Sequence, residues 1–152
     1  MDRIAMLQTL LQRAEDERDA AIAIVRQAEG QLRAAEAQAR QLNDYRSDFD
    51  SRWTQRFQSS GQGTRSLLQC HQSFGLRLGE AISQQQGQTQ QVAQRVQRAK
   101  AALLQREQRV AAVRKLIERR EAEQLRSSER RAQRNEDEMA QRQHQRRQAL
   151  AG

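Results

Sequence analysis

The sequence has no proline, a single cysteine, few aromatic residues and no long apolar run. Without proline, no residue removes a backbone donor from a helix interior or forces a kink. With Cys70 alone, a disulfide framework and a paired-thiol metal motif are both excluded. No window approaches the ~20 apolar residues that a bilayer-spanning helix needs. The opening residues, from Met1 to Leu7, lack the apolar core of a signal peptide, so a soluble, cytosolic chain is expected. A content of 36% hydrophobic and 3% aromatic residues is too low for a thick globular core.

Chemistry is also scarce. His71 and His144 stand far apart and have no ligand-spaced Cys or carboxylate cluster, so no metal site is expected. No Ser or Cys falls into a nucleophile–base arrangement, and no glycine-rich phosphate loop occurs. Gly75 and Gly79 resemble a small-residue close-packing motif, but among polar neighbours. Neither an enzyme nor a cofactor is expected, because a two-helix hairpin alone builds no water-excluding pocket.

What the chain does contain is helical periodicity. Positions 4, 7, 11, 14, 18, 21, 25, 28, 32, 35, 39, 42, 46, 49 and 53 alternate steps of three and four, and only Arg18 and Arg46 break their apolar pattern. A second such row runs through 68, 71, 75, 78, 82, 85, 89, 92, 96, 99, 103, 106, 110, 113 and 117. The only convincing break between them is the small, polar stretch 58–64, with Gly61 and Gly63. Thr64 or Ser66 can cap the second helix, and Ser66 with Gln69 fits a capping box. The softest part of the second arm is 83–91, where Gly87 costs about 1 kcal/mol relative to Ala.

These rows predict an all-α fold, an antiparallel two-helix coiled-coil hairpin. One elongated domain over 1–152 is expected, with a first helix over 2–57, a turn over 58–64 and a second helix over 65–148. Folding the arms about the turn pairs positions whose numbers add to roughly 122. Apolar then meets apolar, Ile4 with Ile117, Val25 near Val96, and Leu42 near Leu78 and Ile82. Residues after about 120 have no partner in this register and form a basic overhang.

Charge follows the same division. The net charge is +8, and all basic residues but Lys100 and Lys115 are Arg. Residues 2–52 hold eight Arg and ten acids, whereas 95–115 hold seven basic residues and only Glu107. Opposite flanks help fix antiparallel pairing, and the positive excess suits an acidic partner. A nucleic-acid-binding coiled coil and a generic scaffold are the rival readings. Against the first, the aromatics sit away from the basic end. Against the second, a scaffold does not account for an aromatic cluster at the turn.

All the aromatics fall between 45 and 74: Tyr45, Phe49, Trp53, Phe57 and Phe74. Four of them step by four residues, so the row drifts about 120° around a helix of ~3.6 residues per turn. Either the row seals the end of the hairpin, or it forms an exposed docking patch.

The chain resembles the flagellar type III export protein FliJ family over nearly its whole length. The resemblance rests on Gln41-Leu42-Asn43-Asp44-Tyr45-Arg46-Ser47-Asp48-Phe49 before the turn and Gln72-Ser73-Phe74-Gly75-Leu76-Arg77-Leu78-Gly79-Glu80-Ala81-Ile82 after it. Leu116-Ile117-Glu118-Arg119-Arg120 and Asp137-Glu138-Met139-Ala140 follow in order. The resemblance implies a hairpin similar to the central stalk of rotary ATPases. Such a stalk sits in the pore of a hexameric export ATPase, promotes its assembly, links it to the cytoplasmic domain of the membrane export gate, and binds export chaperones. It implies a cytoplasmic place, peripheral at the inner-membrane face of the flagellar basal body, with no membrane insertion and no nucleic acid. An equivalent stalk of a virulence injectisome is the neighbouring alternative.

Carried over by position, the gate-binding surface falls on Gln38, Leu42, Tyr45 and Phe49 and on Phe74, Leu78, Ala81 and Gln85. Phe49 stands where the family often has Tyr, and Gln85 where it can have His. Leu42, Phe49 and Leu78 also lie in the predicted seams, so core and contact roles both stand for them. Tyr45 and Phe74 lie off the seams. The ATPase-facing side is expected at the basic end, on Arg119, Arg120, Arg126, Arg130 and Arg131.

Overall fold

The computed structural model describes residues 2–60 and 65–152, the side chains of Ser59 and Ser60 excepted. Two helices account for every described residue but Asp2 and Gly152: α1, Arg3–Ser60, and α2, Arg65–Ala151. They pack against each other as an antiparallel two-helix hairpin, the fold class that the paired seams predict. The predicted break at Gly61 and Gly63 and the cap at Thr64 lie outside the described residues.

Asp2 caps α1, its Oδ1 accepting a hydrogen bond from the Ile4 backbone N–H at 3.1 Å. At its other end α1 continues through Gln58, Ser59 and Ser60, beyond the Phe57 where the aromatic row stops. Gln is a good helix former and Ser only mildly unfavourable, so neither breaks the helix. Ser66 lies within the first turn of α2 rather than before it, so it is not the N-cap and its pairing with Gln69 is not a capping box.

The chain divides into two compact units, Met1–Arg18 with Arg106–Gly152 and Asp19–Gln105. In the first unit, Ala14 and Val110 are buried, and Ile4, Leu7, Leu11, Val113 and Ile117 are half-buried. Acidic α1 meets basic α2: Glu17 accepts from Arg106 at 2.8 Å and Arg109 at 3.3 Å, and Glu15 from Arg114 at 3.2 Å. These pairs are solvent-exposed, worth about 0.2–1 kcal/mol each, so they select the register more than they hold the fold. Asp2, Arg3 and Ile4 line a groove with Arg120, Glu123, Gln124 and Ser127, which extends α1's cover of α2 to about Ser127. From 128 onward every residue is exposed.

In the second unit, Ala21, Val25, Ala28 and Ala35 face Leu78, Ile82 and Val96 in a thin buried seam. Lys100 pairs with Glu29 at 3.7 Å. Gln85 is the one buried polar residue among those described, and its Nε2 donates to the Ala35 carbonyl at 3.1 Å. A small residue at 35 leaves room for that side chain to cross the seam. Cross-helix partners in the two units add to between 119 and 129, from Tyr45–Phe74 to Glu15–Arg114. The register read from the heptads is therefore the one found.

Seam positions match the burial closely. On α1 only Arg46 is exposed, and on α2 only Leu68 and Arg106 are. The soft stretch around Gly87 stays helical, anchored by Gln85 and by Thr89, whose hydroxyl donates to the Gln85 carbonyl at 2.9 Å. A Cβ added at Gly87 meets no atom within 4 Å. Gly87→Ala is therefore expected to raise stability by about 1 kcal/mol, read as a higher midpoint in thermal or urea unfolding. Gly75 and Gly79 are equally open, so they are not a close-packing motif.

Candidate functional site

Where the two helices carry their aromatics, the seam changes character. Steps of four on α1 rotate the row from Tyr45 across Phe49 and Trp53 to Phe57. The middle pair stays in the seam and is half-buried, while Tyr45 and Phe57 emerge on its flanks, 55% and 52% exposed. From α2, His71 enters between them. Its ring stacks at 4.0 Å on Trp53 and at 4.9 Å on Phe49, and its Nε2 is buried without a hydrogen-bond partner. Ring faces, rather than polar contacts, hold His71 at this end of the seam.

Phe74 completes the cluster. It packs at 4.6 Å on Phe49 and meets Tyr45 edge-on at 6.2 Å, with 63° between the rings. Edge-to-face pairs of this kind contribute about 0.5–1.5 kcal/mol beyond area burial. Tyr45 and Phe74 nevertheless keep much of their surface in solvent. The result is an aromatic pair propped outward by a half-buried third ring. On another side, Phe49 lines a shallow groove with Arg46, Asp50, Gln72, Gly75, Leu76 and Leu78.

Each residue of the expected gate-binding set has a definite place. Gln38, Tyr45 and Phe74 are exposed. Leu42, Phe49 and Ala81 are half-buried, with part of each available on the surface. Leu78 and Gln85 are buried, and Gln85 is committed to the Ala35 carbonyl. Helical geometry puts Gln38 and Tyr45 on one flank of α1, seven residues and nearly two turns apart. Phe74 and Ala81 have the same spacing on α2, and the Tyr45–Phe74 contact joins the two rows.

Several apolar residues nearby are exposed: Leu67, Leu68 and above all Leu76, which is 71% exposed. Leu68 occupies a formal seam position, and nothing in the heptad pattern distinguishes it from its buried successors. Leu76 was visible only as an apolar residue off the seam, one step from the Gly75 that lines the same groove.

The basic residues expected at the ATPase belong to the other unit. Arg120 pairs with Glu123 at 3.6 Å. Arg119 and Arg126 line a groove with Lys115, Glu118, Ala122 and Glu123. Arg130 and Arg131 stand in the fully exposed part of α2. Among the described residues no cluster of His, Cys, Asp and Glu could hold a metal ion, and no helix is long and apolar enough to cross a membrane.

A family model described as Flagellar FliJ protein matches residues 3–149 of this chain. No curated protein matches it.

Proposed function

Since the chain belongs to the flagellar FliJ family and its role is therefore one in flagellar protein export, we propose that it is a two-ended connector of the export apparatus. One end is the central stalk of the hexameric export ATPase, entering its pore and promoting ring assembly. The other docks on the cytoplasmic domain of the membrane export gate. The chain also binds export chaperones, and works in the cytoplasm at the inner-membrane face of the basal body.

The observation that carries this reading is the outward aromatic pair, Tyr45 and Phe74, propped by Phe49. A closed seam needs neither ring exposed, and hot spots of protein interfaces are built from such aromatic anchors. Gln38 and Ala81 extend the surface, with Leu42 at its edge. Leu78 and Gln85 act from beneath by fixing the backbone that presents it. Exposed Arg126, Arg130 and Arg131 support an acidic lining as the partner of the basic end.

The direct test is calorimetric titration of the full chain with the purified gate domain. Saturable binding is expected, and no heat at any ratio withdraws the gate assignment. For the other end, Arg126→Glu/Arg130→Glu/Arg131→Glu is expected to lower stimulation of the ATPase by about ten-fold or more, since reversed charges oppose association. Full stimulation by that variant removes the basic end from the ATPase interface.

A further inference from the structure

One layer of the second unit's seam is missing. The register sets Leu42 against Leu78, and Phe49 stacks on His71, but between those pairs it sets Arg46 against Gly75. Gly75 has no side chain to contribute, and Arg46 is exposed rather than buried. A Cβ added at Gly75, or at Gly79 one turn on, meets no atom within 4 Å. The gap opens as a groove of about 400 Å³ lined by Arg46, Phe49, Asp50, Gln72, Leu76 and Leu78 around Gly75.

The lining says what fits. Phe49, Leu78 and 71%-exposed Leu76 make it apolar, so the missing piece is a large apolar side chain. Arg46 and Asp50 lie one turn apart beside it, and neither forms an ion pair with a described residue. A carboxylate next to the incoming group pairs with Arg46, and a donor with Asp50. The groove is also continuous with the expected gate-binding set, because Phe49 and buried Leu78 belong to that set and reach solvent here. It lies on the flank away from the exposed aromatic pair, since Asp50 and Gln72 fall about 140–160° around their helices from Tyr45 and Phe74.

We propose that the gate's cytoplasmic domain holds the hairpin on both flanks, pressing one large apolar side chain into this groove between Phe49 and Leu78 and setting a carboxylate against Arg46. The inference rests on gate docking and adds a second contact to it, on residues Gly75, Leu76 and Arg46 outside the expected set.

Two substitutions at Gly75 separate this contact from the stability of the helix pair. Gly75→Ala and Gly75→Leu both remove a glycine from the interior of α2, so both are expected to raise the thermal midpoint. Gly75→Ala leaves most of the groove open and should bind the gate domain as the unaltered chain does. Gly75→Leu fills the groove from within and is expected to weaken binding about thirty-fold or more in calorimetric titration. Leu76→Ser and Arg46→Glu alter exposed side chains, should keep helicity by circular dichroism, and are expected to weaken binding about five-fold and about ten-fold. Equal affinity of Gly75→Leu and Gly75→Ala, with loss only in Tyr45→Ala/Phe74→Ala, overturns the groove contact and leaves the aromatic surface standing. Should Gly75→Leu lose helicity, unchanged affinity in both Leu76→Ser and Arg46→Glu overturns it instead. No binding by the unaltered chain withdraws both contacts. Sedimentation of the chain alone tests the other occupant: a dimer that Gly75→Leu converts to a monomer assigns the groove to a second copy and overturns the proposal.

Discussion

Val96→Asp is expected to lower stability by about 3 kcal/mol or more, enough to melt much of the second unit. Val96 is among the most buried residues described, at 3% exposure, and the register places it beside buried Val25. Among the described residues no buried cation stands ready to pair with a carboxylate there. An unpaired charge must then either protonate or pull water into the seam, and both separate the helices. Among the described residues no large side chain is fully buried to compensate. By contrast, Gln97→Asp, one residue on and exposed, is expected to fall within about 0.5 kcal/mol of the unaltered chain. Circular dichroism melting reads the difference as a midpoint lower by roughly 6–12 °C for Val96→Asp. Equal midpoints for the two variants contradict the inferred seam.

Tyr45→Ala/Phe74→Ala is expected to reduce affinity for the gate's cytoplasmic domain about thirty-fold or more, with helicity retained. Truncating a central aromatic anchor commonly costs 2 kcal/mol or more at an interface. Within the hairpin the same pair contributes about 1 kcal/mol, because both rings keep much of their surface in solvent. The two effects are therefore separable, which is not true of neighbouring residues. Phe49→Ala removes the ring that stacks on His71 and supports Phe74, so it should loosen this end of the helix pair and weaken binding together. Isothermal titration with circular dichroism on the same samples distinguishes the cases. Unchanged affinity in the helical double variant removes Tyr45 and Phe74 from the docking surface.

The hairpin and its register were legible because a three–four spacing carries its own geometry. Ala14, Val25, Ile82, Val96 and Val110 are buried where the rows placed them, and charge complementarity reappears as Glu17 between Arg106 and Arg109. The aromatic end was legible as a cluster, but its two alternatives were not separable by spacing. In the structure Phe49, Trp53 and His71 close the seam, while Tyr45 and Phe74 stay exposed beside it. Steps of four carry a row off the seam without saying how much of each ring stays wet. Gln85 shows a different limit. Periodicity placed it in the seam, but its bond to the Ala35 carbonyl depends on the small residue facing it fifty positions earlier. Exposed Leu68 was hidden for the opposite reason, since an apolar residue in a seam position is read as core.

The most direct test of the docking surface is oxidative side-chain footprinting of the full chain, alone and saturated with the export gate's cytoplasmic domain. Tyr45 and Phe74 are accessible in the free chain, and Met139, 62% exposed in the other unit, is an internal control. Strong protection of Tyr45 and Phe74 is expected in the complex, and none at Met139. Protection at Met139 with Tyr45 and Phe74 still oxidised at their free rates would contradict docking through the aromatic pair.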